Sequence, residues 1–144
     1  MTNSILIDTN VLLASRVVDH PKFEATVQAL EGWATQSFRL VLAPQVIYEA
    51  YVVASRPQAV NGLGLNAAEA ADMITAASQI FQVLDEPGGL WSRWLRICRE
   101  LQISGKAAHD ARLVAFAQVH GIPRMLTLDA ATYSRHEGVE MLDV

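Results

Sequence analysis

Cysteine is nearly absent from this sequence, with Cys98 the only one in 144 residues. One thiol cannot form an internal disulfide and leaves a cysteine-based zinc site short of ligands, so Cys98 reads as a core residue. Long apolar runs are missing as well. The longest, Ala50 to Ala54 and Leu113 to Ala117, fall far short of the roughly 20 residues a bilayer span needs. The start of the chain also lacks the basic region, apolar core and small-residue cleavage site of a secretory signal. A cytoplasmic protein without membrane attachment is the expectation. Charge is sparse at 18% of residues, with 11 basic and 15 acidic side chains and a net charge of −4. That balance disfavours a broad basic surface for nucleic acid. Committing four of the acids to a metal would level it, however, so total charge does not decide the substrate class.

What is present is apolar, with 51% hydrophobic residues, far from the composition of a disordered chain. The length suits one domain over residues 1–144. Ile5-Leu6-Ile7 runs into Asp8-Thr9-Asn10 and a second apolar stretch, which predicts a buried strand, a turn and a helix capped by Asn10. Pro21 suits a first helical turn, and Phe23, Val27, Leu30 and Ala34, extended by Trp33, share one helix face. Arg39 to Ala43 predicts a second strand, and Pro44 opens a helix that carries Glu49 to about Ser55. Segment 56–66 is a loop, and Asn66 to Glu69 has capping-box spacing ahead of an alanine-rich helix to about Phe81. Residues 82–84 are a weak third strand. Trp91, Trp94, Leu95, Cys98 and Leu101 follow helical spacing and read as a core stripe, with a protein interface as the alternative. A helix from about Ala107 to His120 stops at Gly121, Arg124 to Thr127 is a fourth strand, and Val139 to Leu142 a fifth. Strands alternating with helices predict an α/β fold: a mostly parallel central sheet flanked by helices on both faces. In such sheets ligands bind beyond the carboxyl ends of the strands.

Four acids fall where that rule directs attention. Asp8 and Asp129 each follow a predicted strand, where an Asx-turn or a helix cap is the plain structural reading. Glu49 sits in a helix apolar on both sides, so it is either on a narrow solvated face or half-buried and in need of a partner. Asp110 lies in a first helical turn, which the helix dipole alone would explain. Together the four can reach one cleft, and four carboxylates there need a hard cation such as Mg²⁺ or Mn²⁺. Such sites serve hydrolytic phosphoryl chemistry.

Four short motifs in order then resemble a known family. They are Ile5-Leu6-Ile7-Asp8-Thr9-Asn10-Val11-Leu12, Pro44-Gln45-Val46-Ile47-Tyr48-Glu49, His109-Asp110-Ala111-Arg112-Leu113-Val114-Ala115, and Leu126-Thr127-Leu128-Asp129. Over nearly its whole length the chain resembles PIN-domain ribonucleases, in particular the small VapC-type toxins of toxin-antitoxin pairs. The resemblance implies a single PIN-like domain in which Asp8, Glu49, Asp110 and Asp129 hold one or two Mg²⁺ or Mn²⁺ ions. Thr127 would orient a carboxylate or a water, and Asn10 would stabilise the turn after the first strand. The implied activity is metal-dependent hydrolysis of RNA phosphodiesters, inhibiting translation and growth. Its implied partners are the RNA, a cognate antitoxin protein whose C-terminal segment lies across the cleft, and a second copy in a homodimer. One departure is visible, because the aromatic residue that the family often has soon after the last acid comes here only at Tyr133.

Lys106, Arg112, Arg56 and Arg16, each near one of these motifs, are candidates to guide phosphates, though each also reads as a solvated surface charge. His109 reads as a packing or hydrogen-bonding residue. The alternatives are a housekeeping PIN-domain nuclease without an antitoxin and an acidic Mg-binding signalling or binding-only module. A receiver domain needs adjacent acids after strand one and a late lysine, and a dehalogenase-type phosphatase needs Asp-x-Asp. A dinucleotide fold needs Gly-x-Gly-x-x-Gly, and the sequence has none of these.

Overall fold

Why the chain folds as a layered α/β protein follows from the strand at its start. The computed structural model describes residues 2–144. β1 (Ser4–Ile7) is buried at every position, as expected of the central strand of a parallel sheet covered on both faces. Beside it lie β2 (Arg39–Leu42), β3 (Gln82–Val83), β4 (Arg124–Thr127) and β5 (Glu140–Asp143), in the order β3-β2-β1-β4-β5. Every pairing is parallel, with Leu6 opposite Val41 on one side and Met125 on the other. From β1 the chain first builds outward through β2 and β3, then crosses back to add β4 and β5. Strand order therefore reverses beside β1, and the carboxyl ends of β1 and β4 open a crevice there.

The crossovers are α1 (Thr9–Arg16), α2 (Phe23–Thr35), α3 (Pro44–Ser55), α4 (Ala67–Ile80), α5 (Leu90–Glu100) and α6 (Ala107–His120). α1 packs on α2 and α3, α3 on α4, and α5 on α6. Right-handed crossovers built in opposite directions from β1 put these two groups on opposite faces of the sheet. α6 is buried from Leu113 to Ala117 and supplies much of the core with Ile5, Ile7, Leu42 and Leu126. Among the described residues no helix is long and apolar enough to cross a membrane.

Local signals explain most boundaries. Pro44 opens α3, Asn66 and Glu69 form both halves of the capping box of α4, and Gly121 ends α6 at φ 68°. Four expectations are corrected. Asp8, not Asn10, caps α1, accepting from the Thr9 N–H at 2.7 Å, because the Asn10 side chain is drawn across to β4. Pro21 precedes α2, which begins at Phe23, and Ala34 is exposed because α2 turns only Thr26, Leu30 and their neighbours inward. β5 begins one residue later than predicted. Trp91 and Leu95 are 71% and 43% exposed, since α5 meets the core through Leu90 and Ile97 and ties its Trp94 Nε1–H to the Ala108 carbonyl at 2.8 Å. Cys98 packs partly buried against the core.

Candidate active site

The last residue of β1 delivers Asp8 to the crevice, and α1 begins directly on it. Its carboxylate is 6% exposed and fully engaged. Oδ1 accepts from the Thr9 N–H, and Oδ2 accepts from the Thr127 hydroxyl at 2.9 Å and the Tyr133 hydroxyl at 2.9 Å. Burial pushes the Asp8 carboxyl above its ordinary value, against the pull of these three donors, and the Glu49 charge adds to the rise.

Asp110 stands in the first turn of α6, half-buried, and Tyr133 connects it to Asp8. The tyrosine hydroxyl lies 2.9 Å from Asp8 Oδ2 and 3.4 Å from Asp110 Oδ1, so one oxygen spans two carboxylates. Asp110 is also raised, first by burial, then by the Asp8 and Glu49 charges. Tyr133 is held far on the neutral side by burial and by the same two acids, which keeps it a donor.

Glu49 reaches the crevice from α3, half-buried as its apolar surroundings predict. The Thr9 hydroxyl donates to its Oε2 at 2.8 Å, and the Gln45 amide donates to its Oε1 at 2.7 Å. Gln45 is itself buried, donates to the His109 carbonyl at 2.8 Å and accepts from Arg112 Nη1 at 2.9 Å. Arg112 ends the chain in an ion pair with Glu86. Asp129 follows β4 at the exposed rim, where the Thr132 hydroxyl donates to its Oδ2 at 2.7 Å.

Thr127 is fully buried and orients Asp8, while its Oγ1 also accepts from the Asp129 N–H at 3.1 Å. Asn10 lashes the start of α1 to the end of β4: its Oδ1 accepts from the Leu128 N–H at 3.1 Å.

Asp8, Asp110 and Asp129 line one cavity of about 360 Å³ with Thr9, Asn10 and Tyr133. Glu49 lines an adjoining hollow with Tyr48, Val52 and Arg56, and Thr9 and Val53 border both. The structure thus gathers three predicted acids in one cavity and sets the fourth across Thr9. Among the described residues no three acids, histidines or cysteines crowd together as a ready cage. A hard divalent ion does not need one, because Mg²⁺ keeps several waters and takes one or two carboxylates directly. An all-oxygen donor set with one buried acid, Asp8, whose charge raises the pKa of the half-buried Asp110, fits such an ion.

The basic candidates part company. Arg112 is committed to Glu86 and Gln45, and Arg16 lines a hollow with Val27 and Leu30 because it lies at the opposite end of α1 from Asp8. Arg56 borders the Glu49 hollow and Lys106 is exposed just before α6. His109 has an exposed side chain and contributes its carbonyl rather than packing. Sequence reasoning missed Gln45, Thr9 and the bridging role of Tyr133. Only Gln45 left a signal, its spacing of four from Glu49 on one helix. Gln45→Ala is expected to lower catalytic activity or metal affinity by about 10-fold, as loss of a carboxylate's orienting partner does. It should also cost about 1–3 kcal/mol of stability by removing a buried amide bonded to Glu49, the His109 carbonyl and Arg112, measured by urea unfolding beside the activity assay.

The model of the PIN domain family matches residues 5–137. Among solved structures the chain is similar to VapBC2 from Rickettsia felis bound to a DNA fragment from their promoter, with 13% identity, a TM-score of 0.77 and 98% of each chain covered. It is similar to DNA-bound VapBC from Salmonella typhimurium, with 16% identity, a TM-score of 0.74 and 99% and 98% coverage. It is also similar to Mycobacterium tuberculosis VapC20, a sarcin-ricin loop cleaving toxin, with 17% identity, a TM-score of 0.61 and 84% and 86% coverage. At these identities the likeness establishes the fold. No curated protein matches the sequence.

Proposed function

The chain belongs to the PIN domain family, and from that premise we propose that it is a divalent-metal-dependent endoribonuclease, the toxin of a toxin-antitoxin pair that inhibits translation and growth. The observation that carries this reading is the buried Asp8 and the half-buried Asp110, joined through the Tyr133 hydroxyl in a cavity that Asp129 completes. Asp8, Asp110, Asp129 and Glu49 would hold the Mg²⁺ or Mn²⁺. When bound, the ion supplies Lewis-acid charge that lowers the pKa of water and offsets charge on the scissile phosphate.

The chain's own groups do the rest. Thr127 and Tyr133 fix both rotation and charge of Asp8, and Thr9 and Gln45 clamp the two oxygens of Glu49. Asp129, at the rim, faces incoming substrate, and Arg56 and Lys106 remain to draw phosphates toward an otherwise acidic crevice.

The matched VapBC structures support an antitoxin partner, and the surface beside the crevice suits one. Tyr48 and Val52, 65% and 55% exposed, form an apolar shelf against Glu49 where an antitoxin segment can lie across the cleft. The exposed Trp91 and Leu95 offer a second apolar strip, suited to a homodimer in the cytoplasm.

Total cellular RNA incubated with the purified chain should be cut at a few sites with Mg²⁺ or Mn²⁺ and not with EDTA, and induction without the antitoxin should arrest growth. Absence of cleavage by a folded chain that binds the ion would overturn the nuclease reading. Cleavage without growth arrest would overturn the toxin reading alone.

A further inference from the structure

A second cavity, of about 290 Å³, lies between α5, α6 and the segment after the last 3-10 helix (Ala130–Tyr133), and its lining is basic. Arg93 and Arg96 from α5 meet Arg135 and His136 there, so three of the 11 basic residues of a chain with net charge −4 share one hollow. Among the described residues no carboxylate comes within ion-pair distance of these guanidiniums, although Glu100 and Glu137 stand at the same walls. Arg93 is steadied by donating to Gln118 Oε1 at 3.2 Å, while Arg96 and Arg135 are exposed. Three arginines outnumber the two carboxylates of this lining and, among the described residues, none of them is ion-paired, so an anion with the fork-shaped oxygen geometry of phosphate suits them.

The position of the hollow identifies the anion. Tyr133, whose hydroxyl joins Asp8 to Asp110, packs its ring against His136 with centroids 6.1 Å apart, and His136 lines the basic hollow. This pair of aromatic rings stands between the two cavities. Along α6, Asp110 faces the acidic one and Gln118 the basic one, eight residues or about 12 Å apart. Three or four stacked nucleotides, at about 3.4 Å each, cover that distance. α5 turns Trp91 and Leu95 to its other side, so a protein seated there leaves the arginines free.

Resting on the ribonuclease reading, we propose that the Arg93–Arg96–Arg135 hollow is a backbone-binding subsite that grips a phosphate of single-stranded RNA a few nucleotides from the scissile bond. It supplies attraction that the acidic cavity cannot, and it makes affinity depend on RNA length.

The test reads binding in EDTA, so it stands apart from turnover. Fluorescent single-stranded RNAs of 3 and 12 nucleotides are titrated against the wild-type chain, an Arg96→Ala/Arg135→Ala variant and an Arg96→Lys/Arg135→Lys variant, each checked for folding by circular dichroism. The alanine pair should raise the Kd for the 12-mer roughly tenfold and reduce the slope of log affinity against log salt by about 0.7, the loss of one phosphate contact on a single strand. The gain in affinity from 3 to 12 nucleotides should shrink with it, and the lysine pair should restore most of both. Unchanged Kd and slope in the alanine pair, or a wild-type chain that does not bind the 12-mer, would overturn the inference. So would an alanine pair that loses binding to polyglutamate but keeps RNA, which would assign the hollow to an acidic protein segment. Failure of the nuclease reading looks different: the wild-type chain binds the 12-mer yet cuts no RNA with Mg²⁺ or Mn²⁺.

Discussion

Asp8→Asn is expected to abolish RNA cleavage, by on the order of 10³-fold, and at the same time to raise the melting temperature of the metal-free chain at neutral pH. Both effects have one cause. The carboxyl of Asp8 is buried and displaced upward from 3.8, so the folded chain holds its proton at pH values where the unfolded chain has lost it. Stability is then greatest below the unfolded value, falls as pH climbs from there through the folded value, and stays low above it. Asp110, also raised, acts in the same direction, less strongly because it is half-exposed to screening solvent. Asparagine keeps the cap on α1, since its oxygen still accepts from the Thr9 N–H, and its amide can donate to the Thr127 and Tyr133 hydroxyls. It removes that charge and the larger part of the pH dependence, leaving the smaller part due to Asp110. Thermal melts of both chains in EDTA from pH 4 to pH 8 measure this: the wild-type curve should fall with pH and the variant's should fall less. A variant melting well below the wild type at pH 8 would show that the charge stabilises the fold and would reverse the argument.

Mg²⁺ or Mn²⁺ should raise the wild-type melting temperature at pH 7.5, because an ion that binds only the folded chain adds RT ln(1 + [L]/Kd), about 2.7 kcal/mol at 100 times Kd. For a chain of this size that corresponds to roughly 5–10 °C. The gain should fade toward pH 5, as protons compete for Asp8 and Asp110, and should be largely absent in Asp110→Asn. An ion that raises wild type and Asp110→Asn equally would be binding elsewhere and would remove these carboxylates from the donor set.

How much of this was legible in the sequence depended on range. β1, β2 and β4 announced themselves by short apolar runs, and the rule that ligands sit beyond the carboxyl ends of parallel strands singled out Asp8 and Asp129 without coordinates. Glu49 was legible for a different reason, as a carboxylate in a helix with little polar face. What escaped was contact between distant segments. Tyr133 donates to Asp8 across 125 positions, and no local pattern in Ala130-Ala131-Thr132-Tyr133 marks its hydroxyl as a bridge. The contest between Asp8 and Asn10 to cap α1 could not be judged locally either, since it was decided by the Leu128 N–H claiming the asparagine. The exposure of Trp91 depended on which side of α5 meets α6, and helical spacing alone gives the stripe but not its orientation. The basic hollow hid for the same reason, because Arg135 joins Arg93 and Arg96 only once the chain has returned from β4.

The reversal of strand order beside β1 also bears on how the chain comes into being. β1 leaves the ribosome before the other strands of the sheet, yet one of its two neighbours, β4, arrives more than a hundred residues later. At about 5–20 residues per second, Asp8 waits several seconds for Thr127 and Tyr133. Until those two emerge its carboxylate has no side chain to hold it, and the crevice between β1 and β4 is not assembled. A chain that stops before Thr127 lacks both hydroxyls that hold Asp8, so on the ribonuclease reading it should be inactive.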